Sequence, residues 1–97
     1  MKVEGKTYLN ETIHVDFNEF VNCKFLKCSL IYHGFGPVGM VGCAFTDVKW
    51  IFADAASNTL NFLRSLYFGG GEGGKALIES TFASIKSNKI PHTPPTL

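Results

Sequence analysis

The sequence predicts a mainly β protein with α: a short four-sided coil of about two turns over residues 11–52, capped by two C-terminal helices. Three observations predict this fold class. Large apolar residues recur every five positions in the first half, the repeat stops after Trp50, and the second half has apolar residues at helical spacing. A period of five matches neither the period of about 3.6 of a helix nor the period of about 2 of a strand.

The five-residue repeat defines the predicted interior. A chain that turns a corner every five residues closes a square coil in about twenty residues, and such coils stack about 4.8 Å apart. Residues twenty apart should then stack, with Phe25 over Phe45 and Cys23 over Cys43. The fifth positions, counted from Glu11, are Val15, Phe20, Phe25, Leu30, Phe35, Met40, Phe45 and Trp50, and the third are Ile13, Asn18, Cys23, Cys28, His33, Val38, Cys43 and Val48.

The cysteines allow a second interpretation. Cys23 and Cys28 are separated by four residues, a spacing that zinc sites also use. A structural zinc site needs about four ligands, and the chain offers only Cys43 and single histidines as the others. Stacking would also bring Cys23 and Cys43 close enough for a disulfide. Because the chain has three cysteines, an odd number, we expect reduced core thiols and no metal or cofactor.

The groups VNCKF, LKCSL, VGCAF and TDVKW resemble the pentapeptide-repeat family. This resemblance covers residues 11–52, about half of the chain, and implies a right-handed quadrilateral β-helix. Over residues 1–88 the chain also resembles a set of small bacterial proteins that often travel on mobile gene cassettes and share ASNTLNFLRSLYFGGGEGG and ALIESTFASI. That second resemblance implies no activity and no functional residues.

An antiparallel architecture is the alternative. A short antiparallel sheet with turns at Gly5, residues 33–37 and Asp47 would place nearly the same residues inside. The stretch GFGPVGMVG favours a bulging loop, because glycine and proline suit turns better than a tight coil.

Two helices are predicted after the repeats, over residues 54–68 and 75–88, with a glycine-rich turn at 69–74. Asp54, or Ser57 and Asn58, can cap the first helix. Residues 1–88 are predicted as one domain, and residues 89–97, with three prolines, as a flexible tail. The predicted apolar faces are Ala56, Leu60, Leu63 and Tyr67 on the first helix and Ile78, Phe82 and Ile85 on the second.

The glycine-rich segment resembles a phosphate-binding loop. Gly69 to Lys75, with Gly74 before the lysine, satisfies the spacing G-x-x-x-x-G-K. However, Ala76 stands where the loop needs Ser or Thr, and a helix rather than a strand is predicted before it. We therefore interpret Gly69, Gly74 and Lys75 as part of a turn.

Charge argues against several partners. Nine basic and eight acidic residues give a net charge of +1, which lacks the excess expected for binding nucleic acid or an anionic membrane. DNA mimicry, known among pentapeptide-repeat proteins, would need many negative charges. The N-terminal residues lack the apolar stretch of a signal peptide, so a cytoplasmic location is expected.

No catalytic group of residues is evident. Asp16 and Glu19 are interpreted as a solvated pair, His14 as facing solvent and His33 as structural. We therefore expect a non-enzymatic interaction module that forms a homodimer and can bind another protein. The alternative is a small-molecule binding protein or minor enzyme whose pocket lies near Tyr32, His33, Trp50 and Tyr67.

Overall fold

The computed structural model describes residues 1–88, so the predicted tail at 89–97 lies outside the described residues. The chain divides into two compact units, Met1–Asn58 and a second that begins at Thr59. This division differs from the prediction of one domain over residues 1–88. The boundary falls inside the first helix, four residues after its start at Asp54.

Nine short strands in the first unit form three parallel sheets of three strands each. The strand order is β1–β4–β7 in one sheet, β2–β5–β8 in the next and β3–β6–β9 in the third. The chain thus visits the three sheets in turn and completes three levels, a β-helix-like arrangement. Because every strand pair is parallel, the antiparallel alternative is wrong. The strands are β1 Lys2–Glu4, β2 Thr7–Leu9, β3 Thr12–His14, β4 Glu19–Val21, β5 Lys24–Leu26, β6 Ser29–Tyr32, β7 Gly39–Val41, β8 Ala44–Thr46 and β9 Lys49–Phe52.

The predicted stacking of residues twenty apart is confirmed between the second and third levels. Phe25 pairs with Phe45 and Leu30 pairs with Trp50. The registers on both sides of Cys23, Val21 with Val41 and Lys24 with Ala44, place it level with Cys43.

The repeats begin earlier than predicted, at Lys2 rather than at Glu11. Val3 and Ile13 pair with Phe20 and Leu30, so each spans 17 residues to the next level rather than 20. Ile13, predicted at a third position, therefore occupies a fifth position, level with Leu30. The shift arises where the chain passes from the third sheet back to the first, a segment we call the return connection. It is formed by residues 15–18 after the first level and by residues 33–38 after the second.

A left-handed residue at each corner explains the period of five. Three strand residues are followed by a two-residue corner, and the first corner residue has φ between +54° and +65°. Glycine, asparagine and aspartate tolerate this conformation better than other residues do. Lys27 is the one corner residue of another type. The corner residues are Gly5, Asn10, Asn22, Lys27, Gly42 and Asp47.

The core is centred on the second level. Phe20, Phe25 and Leu30 are fully buried, and Tyr8 stacks on Phe25 with ring centroids 5.1 Å apart. The thiol of Cys28 donates to the carbonyl of Leu26 at 3.3 Å. The three cysteines are free, with Cys23 and Cys28 buried and Cys43 half-buried. They are small core residues, as the repeat predicts.

The two helices are separated by a single residue. Helix α1 spans Asp54–Gly69 and α2 spans Gly71–Lys86, so the turn predicted over residues 69–74 is wrong in extent. Gly74 is buried inside α2, and a Cβ atom there would lie 2.1 Å from the carbonyl oxygen of Leu66 in α1. At Gly70 the same distance would be 2.6 Å. These glycines allow the helix backbones to approach closely, a role that composition alone does not distinguish from a flexible turn.

Much of the predicted apolar face of each helix is exposed. Ala56 is buried and Leu63 half-buried, whereas Leu60 in α1 and both Phe82 and Ile85 in α2 are exposed. Within residues 1–88, neither helix has the length and apolar character needed to cross a membrane.

Candidate functional site

Asp16, in the shorter segment of the return connection (residues 15–18), holds the longer segment (residues 33–38) in place. Its Oδ1 accepts a hydrogen bond from the backbone N–H of His33 at 2.7 Å, and its Oδ2 accepts from Phe35 at 2.8 Å and from Gly36 at 3.3 Å. The interpretation of Asp16 as part of a solvated pair is therefore wrong, and its side chain is half-buried. Loops with free backbone N–H groups need such an acceptor.

These hydrogen bonds change the acidity of Asp16. Partial burial tends to raise the pKa of the carboxyl, but hydrogen bonds from the backbone of His33, Phe35 and Gly36, together with the nearby His33 ring, outweigh it. The pKa of Asp16 is consequently below its usual value. The ionised form is the one that holds the loop.

A chain of three polar side chains lies beside this loop. His33 Nδ1 is 2.5 Å from Oδ2 of Asp54, and His33 Nε2 is 2.8 Å from Nδ1 of His14. Three elements supply the groups: His14 ends β3, His33 follows β6, and Asp54 begins α1. The backbone carbonyl of His33 also accepts from the N–H of Ala56 at 3.1 Å, which fixes the start of α1 against the loop.

Gly34 allows this close contact. It has φ of +77°, and a Cβ atom there would lie 2.7 Å from the backbone nitrogen of Ala56. Any other residue would be strained at this φ and would push the helix start away from the loop.

The predicted ligand-binding residues fall in different places. Tyr32 and Trp50 line one apolar pocket of about 250 Å³, with Val15, Val38, Met40 and Phe52. His33 follows Tyr32 in the chain but belongs to the hydrogen-bonded chain with His14 and Asp54. Tyr67 lies in α1, where its ring is 5.2 Å from that of Phe68 and 5.8 Å from Nζ of Lys75.

The phosphate-loop-like residues are helical. Gly69 ends α1, and both Gly74 and Lys75 lie inside α2. The N–H of Gly74 donates to the carbonyl of Gly70 at 3.0 Å, so this group is used within the helical structure. The open loop of free N–H groups that phosphate requires is not formed by these residues.

The spacing of the histidines is a signal that the sequence contained. His14 and His33 are 19 positions apart, and Asp54 is 21 positions beyond His33, so the three residues lie close to multiples of one coil. His14 is exposed, as predicted, but its contact with His33 was not predicted. Within the described part of the chain, no group of three or more His, Cys, Asp or Glu side chains is arranged to hold a metal ion.

No protein-family profile matches this chain, and neither a curated protein nor a solved structure matches it significantly.

We expect Asp16→Asn to destabilise the first unit at neutral pH. An amide offers one oxygen instead of two, and its NH2 group would face the N–H donors of the loop. Because the pKa of Asp16 is lowered in the folded state, its stabilising effect is present above the unfolded-state pKa of about 3.9. This effect is lost as the pH falls through the folded-state value.

Urea unfolding at several pH values checks this expectation. The denaturation midpoint of Asp16→Asn should be below that of the parent at pH 7, and the two should converge below about pH 4. Asp47→Asn is the matched control, because it removes the same charge at a corner where asparagine fits. A constant difference across the pH range would show that the carboxylate charge of Asp16 is not responsible.

Proposed function

We propose that the protein is a non-enzymatic, self-associating interaction module. In this proposal the chain is a pentapeptide-repeat-like β-helix, right-handed and four-sided, whose open end is covered by helices when two copies associate. The observation that carries it is the apolar third level, where Phe45, Trp50 and Phe52 are 40%, 46% and 49% exposed. Exposed aromatic clusters of this kind are typical of interfaces.

The strand edges support the same proposal. Among the described strands, β7, β8 and β9 each pair on one side only, so their outer N–H and C=O groups face away from their sheets. Such edges favour pairing with another chain unless they are covered. Strands β1, β2 and β3 also pair on one side only, but the aromatic ring of the first level, Tyr8, is buried, with Nζ of Lys6 4.8 Å from its centroid.

The second unit, which contains α1 from Thr59 onward and all of α2 and is called the helical unit below, adds further apolar surface. Phe62 and Phe68 on α1 are 62% and 78% exposed. A net charge of +1 also gives little repulsion between copies. A homodimer can thus bury aromatic side chains from both units.

Light scattering coupled to size-exclusion chromatography tests the proposal over a tenfold range of concentration. We expect twice the chain mass throughout, and a tryptophan emission typical of an apolar environment, since Trp50 is the only tryptophan. Phe52→Lys should shift the protein to a single-chain mass, because a charge at an apolar interface opposes association. Leu9→Lys, at an exposed position of β2, is the control and should remain dimeric. A single-chain mass for the parent protein would overturn the proposal.

The apolar pocket favours a second candidate, a small-molecule binding protein. Its lining by Tyr32 and Trp50 would suit a flat apolar compound about the size of one or two rings. Quenching of Trp50 emission by such a compound, with the single-chain mass retained, would favour this candidate over self-association.

A further inference from the structure

The hydrogen bonds that join His14, His33 and Asp54 fix the positions of the protons on both histidine rings, beginning from the carboxylate of Asp54. Asp54 begins α1 and presents a carboxylate oxygen to the His33 ring. A carboxylate can only accept hydrogen bonds, so Nδ1 of His33 must carry the proton that Oδ2 of Asp54 accepts. A neutral His33 then has its lone pair on Nε2. The 2.8 Å contact with His14 therefore requires a proton on Nδ1 of His14 and leaves a lone pair on its Nε2.

The outer nitrogen is accessible and the inner histidine is shielded. His14 is exposed, and among residues 1–88 its Nε2 has no hydrogen-bond partner. The ring of Phe35 stacks on His33 at 5.4 Å between centroids, and the His33 side chain is only 22% exposed. Asp16 holds the same loop through the backbone of His33 rather than through its ring. The hydrogen bonds that join His14, His33 and Asp54 thus hold His14 in one tautomer and leave its Nε2, with a lone pair, facing solvent.

We propose that Nε2 of His14 is a nucleophilic acceptor site for activated carbonyl compounds, such as anhydrides and aryl esters, with His33 and Asp54 as its positioning residues. A base that is held in one tautomer by a histidine and a carboxylate is the arrangement that activates nucleophiles in many sites. The proposal is independent of self-association, since it uses neither Trp50 nor Phe52.

The reaction step follows the hydrogen bonds. Nε2 of His14 attacks the carbonyl carbon and forms a C–N bond, while the bond from that carbon to the leaving oxygen breaks and the leaving group departs as an anion. The Nδ1 proton of His14 passes to Nε2 of His33, whose positive charge then lies beside the carboxylate of Asp54.

Diethylpyrocarbonate, an activated carbonyl compound, provides the test on the full chain. The rate of acylation at each of the three histidines is measured by peptide mass mapping, with His92 as the internal reference. We expect His14 to react at least about tenfold faster than His92, and Asp54→Asn to remove this advantage. The control is Asp47→Asn, which removes an equal charge from a corner of the same unit and should leave the rate at His14 unchanged.

A second measurement separates reactivity from a purely structural role. Nitrogen-15 NMR of the parent protein should show His14 in the Nδ1–H tautomer, as the hydrogen-bonded chain requires. Circular dichroism shows whether Asp54→Asn is folded; if it is not, His33→Gln, which removes the ring between the other two groups, replaces it and should also slow acylation. Equal rates at His14 and His92, a rate unchanged by the folded variant, or the other tautomer at His14 would each overturn the proposal.

Discussion

Replacing Phe25 with alanine should lower the free energy of unfolding of the first unit by about 3–5 kcal/mol. Phe25 is fully buried at the second level, between the stacked rings of Tyr8 below and Phe45 above. It also meets the edge of Phe20, with centroids 5.4 Å apart. Alanine would remove all three ring contacts and leave a cavity in a narrow interior that has few ways to close.

The position of Phe25 increases the expected effect. In a stack of coils each level is stabilised mainly by its neighbours, so a defect in the middle level weakens both interfaces. Urea unfolding followed by Trp50 fluorescence and circular dichroism measures the loss. Leu9→Ala, at an exposed position of β2, is the control and should change the free energy by no more than about 0.5 kcal/mol. A similar small change for Phe25→Ala would show that the interior is not packed around this ring.

Gly74→Ala should destabilise the helical unit by about 1–3 kcal/mol, although alanine is the better helix former. The added Cβ would lie 2.1 Å from the carbonyl oxygen and 3.0 Å from the carbonyl carbon of Leu66, and both atoms belong to the backbone. A side chain could move aside, but a backbone group held in α1 cannot move without shifting the helix. The helices must therefore separate or tilt.

Gly69→Ala is the matched control for this variant. A Cβ at Gly69 would meet nothing within 4 Å, and this residue is not left-handed, so alanine should stabilise the helix by up to about 1 kcal/mol. Thermal unfolding by far-UV circular dichroism compares the two variants with the parent. If both substitutions raised the melting temperature, the close approach of α1 and α2 at Gly74 would be contradicted.

The sequence predicted the second and third levels well because both follow the same twenty-residue spacing. Phe20, Phe25 and Leu30 are buried at the predicted interior positions, whereas Phe35, also predicted to be interior, is 62% exposed in the return connection. The first level was missed because residues 15–18 shorten its return connection, so that counting in fives from Glu11 placed Ile13 in the wrong register. The corner residues were the better guide, since Gly5 and Asn10 mark the first level as Asn22 marks the second.

The candidate site was less predictable for a physical reason. His14, His33 and Asp54 meet only after two full turns of the chain, and each residue alone resembles a surface residue. Asp16 likewise gains its role from backbone N–H groups 17 to 20 positions away. The glycine-rich composition predicted a flexible turn, but Gly74 instead allows close packing of the α1 and α2 backbones. Composition does not distinguish these two roles of glycine.

The return connection sets where this chain can tolerate changes in length. It accommodates four residues after the first level and six after the second, yet the three sheets keep their parallel pairing at both levels. An insertion at a two-residue corner would instead move every following side chain out of register with the level beneath. Segments grafted into residues 33–38 would leave the strand pairing unshifted, but they would remove the hydrogen bonds that Asp16 accepts from His33, Phe35 and Gly36. His14 and His33 flank the two segments of this connection, so any change of length there would lie beside the hydrogen bonds that join His14, His33 and Asp54.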